Sequence, residues 1–459
     1  MKYQTRFSYF LLLLGCTLSI TGHAQQRPNI VFILADDLAQ ADLGCYGNPY
    51  NETPNIDKLA KRGMLFTDAY SASPVCSPSR AAILTGKHPA RLKLTNFIAG
   101  NRTDSLSPVL PARWQPFLPS SEITLAQRLQ KLNYTTGMVG KWHLGNGDSL
   151  APWNRGFDFA RMIGKNGLDY YNYGVYEGSF NKMFNDTGSA YLTDKLTEYA
   201  VDFLRTTKKE KPFFLYMCYS APHVFIVPRG DKVSKYLRKY EKFEGKYNPY
   251  YGAMLESMDD GVGQIMAELE RQGIADNTLI VFTSDNGGVG LPELGPIPTS
   301  AGVLRKWKGH TFEGGSRVPT LISWPHQIAA GSVSQQYITN TDYTPTFLEL
   351  LGEKKVDLPD AMSFYPVLKD AKATMDRGAI FWHYPHFSNQ MGRPSGAVRM
   401  GDWKLVKSYE TNESELFNLK EDLSETTDLS KKFPAKAKEL LSKLDQWNNS
   451  VDANMPIRK

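Results

Sequence analysis

The chain has 459 residues, 41% hydrophobic and 12% aromatic, which is ample for a large packed core and too apolar for a disordered chain. Lysine and arginine number 53 against 47 aspartate and glutamate, a formal charge of +6 with no block of like charge, so a nucleic-acid-binding protein is not indicated. At roughly 150 residues per domain, the length allows one large domain and a smaller one.

The first element is a targeting segment rather than part of the fold. Lys2 and Arg6 precede an apolar run over 7–20, and Gly22-His23-Ala24 forms a small-x-small cleavage site. Residues 1–24 therefore read as a signal peptide, and the mature chain as exported to a periplasm or the extracellular space. Leu13-Leu14-Gly15-Cys16 has the form of a lipobox, which would make Cys16 a lipidated N-terminus. Cleavage after Ala24 is expected instead, because the apolar run continues past Cys16. No later run of about 18 apolar residues exists, so no transmembrane segment is expected. Cleavage leaves Cys45, Cys76 and Cys218, an odd set that allows at most one disulfide, and whether Cys45 and Cys218 pair is left open.

The mature chain opens on Asn29-Ile30-Val31-Phe32-Ile33-Leu34, a continuous apolar run that predicts a buried parallel strand ending in Ala35-Asp36-Asp37. Residues 212–217 and 278–283 repeat the plan, leading into Ser220-Ala221-Pro222-His223 and Ser284-Asp285-Asn286-Gly287-Gly288. Between them, Thr53-Pro54 starts a short helix ending near Gly63, and helical patterns cover 124–132, 192–205 and 250–271. Strands alternating with helices predict an α/β fold with a large, mostly parallel sheet sandwiched by helices, and reactive groups gathered at the strands' carboxyl ends. After about Pro366 the pattern changes to strands at 378–384, 396–407 and 414–419 with a closing helix over 435–447. The expected division is a catalytic α/β domain over 25–365 and a smaller α+β subdomain with antiparallel strands over 366–459.

Cys76-Ser77-Pro78-Ser79-Arg80 is the most specific motif, and Ala81-Ala82-Ile83-Leu84-Thr85-Gly86 predicts a helix starting beside Cys76. A helix N-terminus presents unpaired N–H groups and the positive end of the dipole, which suits an anion. Asp36 and Asp37 end one strand and Asp285 and Asn286 another. All-oxygen ligands from two strand ends suit a hard cation such as Ca²⁺ or Mg²⁺. Gly140-Lys141-Trp142-His143-Leu144-Gly145, Ala221-Pro222-His223 and Lys308-Gly309-His310-Thr311-Phe312-Glu313-Gly314-Gly315-Ser316-Arg317 add cations and histidines.

The C-x-P-x-R pentapeptide and the helix after it resemble the signature of the sulfatase family, within the alkaline-phosphatase superfamily. The other motifs follow in that family's order from Asp36 to Pro319. Val398-Arg399-Met400-Gly401-Asp402-Trp403-Lys404-Leu405 and Glu415-Leu416-Phe417-Asn418-Leu419 extend the resemblance over nearly all of the mature chain. The resemblance implies that a maturation enzyme oxidises Cys76 to formylglycine (3-oxoalanine). Its hydrate would attack sulfur with one hydroxyl, and loss of the second hydroxyl's proton would release sulfate. The resemblance also implies a site in which Asp36, Asp37, Asp285 and Asn286, with residue 76 itself, hold one Ca²⁺, with Mg²⁺ second to it. Lys141 and Lys308 would bind sulfate oxygens, Arg80 would brace the diol, His143 would orient or deprotonate it, and His223 would protonate the leaving oxygen. Phe312 departs from the family, where many members carry Tyr.

For the alcohol, Trp382-His383-Tyr384-Pro385-His386 and Gly392-Arg393-Pro394 form a cluster that suits a sugar, so His383, His386, Arg393 and also His310 are expected sugar contacts. The segment is reminiscent of bacterial exo-sulfatases acting on host or algal glycans. The expected substrate is a sulfated saccharide with a lean to 4-O-sulfate on galactose or N-acetylgalactosamine. The alternatives are a phosphodiesterase or phosphonate monoester hydrolase of the same superfamily, and an inert glycan-binding homologue.

Overall fold

The computed structural model describes residues 27–164, 167, 169–208, 210–353 and 358–459; the expected signal segment and Cys16 lie outside them. Asn29–Ala35 has an unbroken apolar stretch and is buried at every position, which requires cover on both faces. It sits at the middle of a ten-stranded sheet. Thr278–Ser284 and Phe213–Cys218 flank it in parallel, and Thr135–Gly140 and then Phe159–Ile163 continue the parallel run. Antiparallel strands Thr320–Ser323 on one side and Asn172–Glu177 on the other extend the sheet outward.

The two-residue period of a strand divides the core. Ile30, Phe32 and Leu34 pack with Ala81 and Leu84 of the helix Cys76–Thr85 and with Tyr343 and Phe347. Val31, Ile33 and Ala35 face the opposite layer, formed by Leu196 and Ala200 of Leu192–Thr206 and by Met254, Leu255 and Met258 of Pro249–Arg271. The five parallel strands therefore deliver their carboxyl ends to one edge of the sheet.

The C-terminal strands Ala379–Tyr384, Ser395–Met400, Trp403–Ser408 and Ser414–Asn418 form a four-stranded antiparallel sheet. One face buries Val398, Leu405 and Leu416 under Leu440 and Leu444 of the helix Pro434–Ser450. The other packs Ile380, Trp382, Ala397 and Phe417 against Tyr70, and the Trp382 indole donates to the Ser71 carbonyl at 2.8 Å. The small sheet thus rests on the segment that leads into Cys76. The helix Tyr365–Lys369, on which the expected domain boundary falls, sends Val367 and Leu368 into the first core of the main body. Among the described residues no helix is long and apolar enough to cross a membrane, and Cys45, Cys76 and Cys218 are free thiols.

Candidate active site

Four of the parallel strands end in chemistry. Asp36 and Asp37 follow Ala35, Asp285 and Asn286 follow Ser284, Lys141 and His143 follow Gly140, and His223 lies five residues past Cys218. The close approach is built into the backbone. Gly140 has φ of 106°, and a Cβ there would lie 1.8 Å from the Cys218 carbonyl oxygen, to which Lys141 N–H donates at 2.9 Å. Asp37 and His143 hold φ of 63° and 59°, left-handed backbone that a non-glycine residue adopts at a cost and that concentrates at functional sites.

Cys76 is the first residue of the wholly buried helix Cys76–Thr85. The Ser79 hydroxyl donates back to the Ser73 carbonyl at 2.8 Å and holds the approach to the helix. The Cys76 Sγ lies 3.2 Å from His143 Nδ1, and His143 Nε2 lies 3.4 Å from the Ile98 carbonyl. A carbonyl only accepts, so Nε2 carries the proton and Nδ1 faces residue 76 as a base. Burial, then the charges of Lys141 and Arg80, push the His143 pKa well down and keep the ring neutral.

Charged groups alternate around this point. Arg80 donates from Nε to Asp285 Oδ2 and from Nη1 to the Lys141 carbonyl, both at 2.8 Å. Lys141 Nζ meets Asp36 Oδ2 at 2.5 Å, and Lys308 Nζ meets Asp37 Oδ2 at 2.6 Å. Lys308 Nζ also lies 3.2 Å from His223 Nε2, whose Nδ1 is turned to the Val224 carbonyl. Burial opposes ionisation of Asp36, yet Lys141, His223, Arg80 and Lys308 hold its carboxyl well below the usual range. Burial and the Asp36 charge push Asp285 the other way, up to about 7. Burial and Lys308 push His223 down to about 4.

Three fully buried carboxylates, Asp36, Asp37 and Asp285, thus face three cations, Arg80, Lys141 and Lys308. Among them Asp36 Oδ1 and Asn286 Oδ1 are buried without a hydrogen-bond partner. Ligand atoms of Asp36, Cys76 and Asp285 lie within 4.8 Å of one another, as do those of Asp36, Asp37 and His223. Orphaned buried oxygens beside clustered carboxylates fit a hard divalent cation, and its charge would leave the site net positive.

Above residue 76 opens a cavity of about 720 Å³. Lys141, His143, His223 and Lys308 line its floor. Its wall comes from Phe97 and Ile98, from Met162 and Ile163, and from Tyr176 and Phe180. These wall residues were not singled out from sequence, because nothing in an apolar residue marks it as pocket rather than core until the chain is folded.

The four expected sugar contacts stand elsewhere. His383 accepts from the Tyr409 hydroxyl at Nδ1 (2.8 Å) and donates to the Asn454 carbonyl at Nε2 (3.0 Å). It shares its strand face with Phe381, which stacks on Trp447 of the closing helix. Strand alternation points His383 toward the closing helix and away from the cavity. His386 is buried with Nε2 2.8 Å from the Thr95 hydroxyl. His310 donates from Nδ1 to the Trp307 carbonyl at 3.1 Å and packs edge-on to that indole. Arg393 is clamped by both Glu410 oxygens at 2.7 Å and by Asp104 at 2.5 Å. His310 and Arg393 line a separate cavity of about 330 Å³. None of the four lines the cavity above residue 76.

With this geometry in view, comparisons with known proteins converge. A family model described as Sulfatase matches residues 28–353, and one described as N-sulphoglucosamine sulphohydrolase, C-terminal, matches 307–450. N-acetylgalactosamine-6-sulfatase of Mus musculus is 35% identical over 432 residues, covering 90% of this chain and 78% of its own. A sulfatase of Formosa agariphila is 30% identical over 92% of this chain and 89% of its own. The crystal structure of Ps i-CgsB in complex with k-i-k-neocarrahexaose superposes with a TM-score of 0.80 at 31% identity, covering 92% of this chain and 93% of that one.

Proposed function

From a chain that belongs to the sulfatase family and is a sulfuric ester hydrolase, we propose an exported enzyme that removes sulfate from a galactose or N-acetylgalactosamine unit of a glycan. Residues 1–24 are its signal peptide. Cys76, oxidised by a maturation enzyme to formylglycine, supplies as its hydrate the hydroxyl that attacks sulfur. Ca²⁺ held by Asp36, Asp37, Asp285 and Asn286, with residue 76 itself, would polarise a sulfate oxygen and acidify that hydroxyl.

The chain's own residues then have defined tasks. Lys141 and Lys308 bind the sulfate oxygens, on which negative charge grows in the transition state and where fixed cations in a dry site act most strongly. Arg80 ties the helix that carries residue 76 to Asp285 and to the Lys141 backbone, so nucleophile and cations move as one body. His143 receives a proton at Nδ1. His223, whose Nε2 lies beside Lys308 at 3.2 Å, would deliver a proton from that nitrogen to the leaving alcohol oxygen.

The observation that carries this reading is the meeting at one point of Cys76 and Lys308 with Lys141 and His143 from one strand end and the buried carboxylates from two others. The relatives named N-acetylgalactosamine-6-sulfatase support O6 ahead of O4 as the ester position. The test is desulfation of defined mono-sulfated saccharides, with 4-O- and 6-O-sulfates of galactose and N-acetylgalactosamine beside an aryl sulfate, a phosphodiester and a phosphonate monoester. Turnover of a 6-O-sulfated sugar is expected. Preference for a phosphorus ester would overturn the sulfate assignment.

A further inference from the structure

Among the described residues that line the cavity above residue 76, one comes from the C-terminal region: Asn389. It stands at the tip of a turn over 388–392, closed by Ser388 N–H donating to the Gly392 carbonyl at 2.9 Å and Met391 N–H donating to the Ser388 carbonyl at 3.2 Å. The turn is pressed against the segment that carries Lys308. A Cβ on Gly392 would lie 1.8 Å from the Gly309 carbonyl oxygen, and a Cβ on Gly309 would lie 2.3 Å from Ser388 Oγ. Two glycines therefore let the two backbones touch. The Trp307 indole donates to the Gln390 carbonyl at 2.8 Å, and Gly290 N–H donates to Gln390 Oε1 at 3.2 Å, locking the turn from both sides.

The position is thus rigid, and its carboxamide, together with that of Asn146, differs from the rest of the lining. The cations and histidines on the floor serve the sulfate, and most of the wall is apolar. A carboxamide offers both a donor and an acceptor, which is what a hydroxyl on a carbon near the ester requires. Ser388 Oγ donates to Asn389 Oδ1 at 3.4 Å, which turns the amide oxygen toward Ser388 and the NH₂ group away from it.

We infer that Asn389 is a specificity-determining residue that hydrogen-bonds a hydroxyl of the sulfated sugar, and that the C-terminal region selects substrate through this residue. The inference rests on the proposed sugar sulfatase activity. The experiment compares wild type, Asn389→Ala and Asn389→Asp, matched for thermal midpoint, on two substrates. One is the mono-sulfated saccharide the wild type turns over best, and the other is 4-nitrophenyl sulfate, which has no hydroxyl beside its ester. Asn389→Ala should lose about tenfold or more in kcat/KM on the saccharide, the scale of one well-placed hydrogen bond, and change less than about twofold on the aryl ester. Asn389→Asp should fall between them on the saccharide. Equal losses on both substrates, or an unchanged saccharide rate, would overturn the assignment while leaving sugar sulfatase activity standing. A wild type that cleaves the aryl ester and no saccharide would remove both.

Discussion

At position 76 the encoded thiol is a poor nucleophile. Burial raises its pKa despite the opposing charges of Lys141 and Lys308, so at neutral pH the sulfur keeps its proton. Activity should therefore track the oxidised fraction of residue 76. Peptide mass analysis against turnover should give a proportional relation, and Cys76→Ala should retain the fold and no measurable turnover. His223 carries a second expectation. If its Nε2 protonates the leaving oxygen, His223→Ala should cost roughly 10²- to 10⁴-fold on a sugar sulfate and much less on an aryl sulfate, whose leaving group needs no proton. Equal losses on the two esters would remove that role.

Between elements, the joint that holds the small sheet to the main body is ionic. Lys404 of Trp403–Ser408 is fully buried and meets Glu313 Oε1 at 2.8 Å and Glu425 Oε1 at 3.0 Å. Glu313 also binds Arg317 at 2.6 Å and accepts from the Tyr70 hydroxyl at 2.7 Å. Burial opposes its ionisation, but Lys404 and Arg317 hold its carboxyl well below the usual range, while burial pushes Glu425 up to about 7. Lys404→Met should leave Glu425 buried without its cation and Glu313 with Arg317 alone, and cost about 3–5 kcal/mol in urea unfolding. Because Glu313 begins the short helix Glu313–Ser316, five residues past Lys308, the variant should also slow turnover. Full stability in that variant would mean that the apolar contacts of Trp382 and Phe417 alone hold the sheet in place.

Across the whole molecule, acid sensitivity follows from buried histidines. Burial pushes His88 to about 4 and His383 and His386 to about 3. Their folded pKa values lie below the unfolded value of about 6.5, so the unfolded chain binds more protons as pH falls. Their contribution is intact above pH 6.5 and is lost, by about 1.4 kcal/mol per histidine per pH unit, as pH falls toward about 4 for His88 and about 3 for His383 and His386. Asp42 and Asp259, raised to about 7 and about 6 by burial, act in the opposite direction, so a difference measurement is the clean one. A His383→Gln/His386→Gln variant, compared with wild type by urea unfolding at pH 7 and pH 5, should show a flatter dependence. A parallel dependence would show that these rings titrate freely. Chelation is the companion test. A divalent ion that bound only the folded site would stabilise it by about 2.7 kcal/mol at a hundredfold excess over Kd, so with the proposed ion in place a chelator should lower both the thermal midpoint and turnover.

The parts legible in the primary structure were those written in contiguous residues. The apolar run Ile30 to Ala35, rich in β-branched residues, reads as a strand covered on both faces, and its polar end lies where the neighbouring parallel strands also end. Cys76, Arg80, Lys141, His143, His223 and Lys308 each sit in a short motif whose residues set the local turn, and folding brings them together. The alcohol side of the cavity is assembled differently. Its wall joins residues near 97, 162 and 176 to Asn389, and no local pattern encodes distances of that kind in the chain. Strand alternation and close packing decided that His383 points to the closing helix while Asn389 reaches the cavity. Both outcomes depend on where a second sheet rests against the first, which only the folded chain determines.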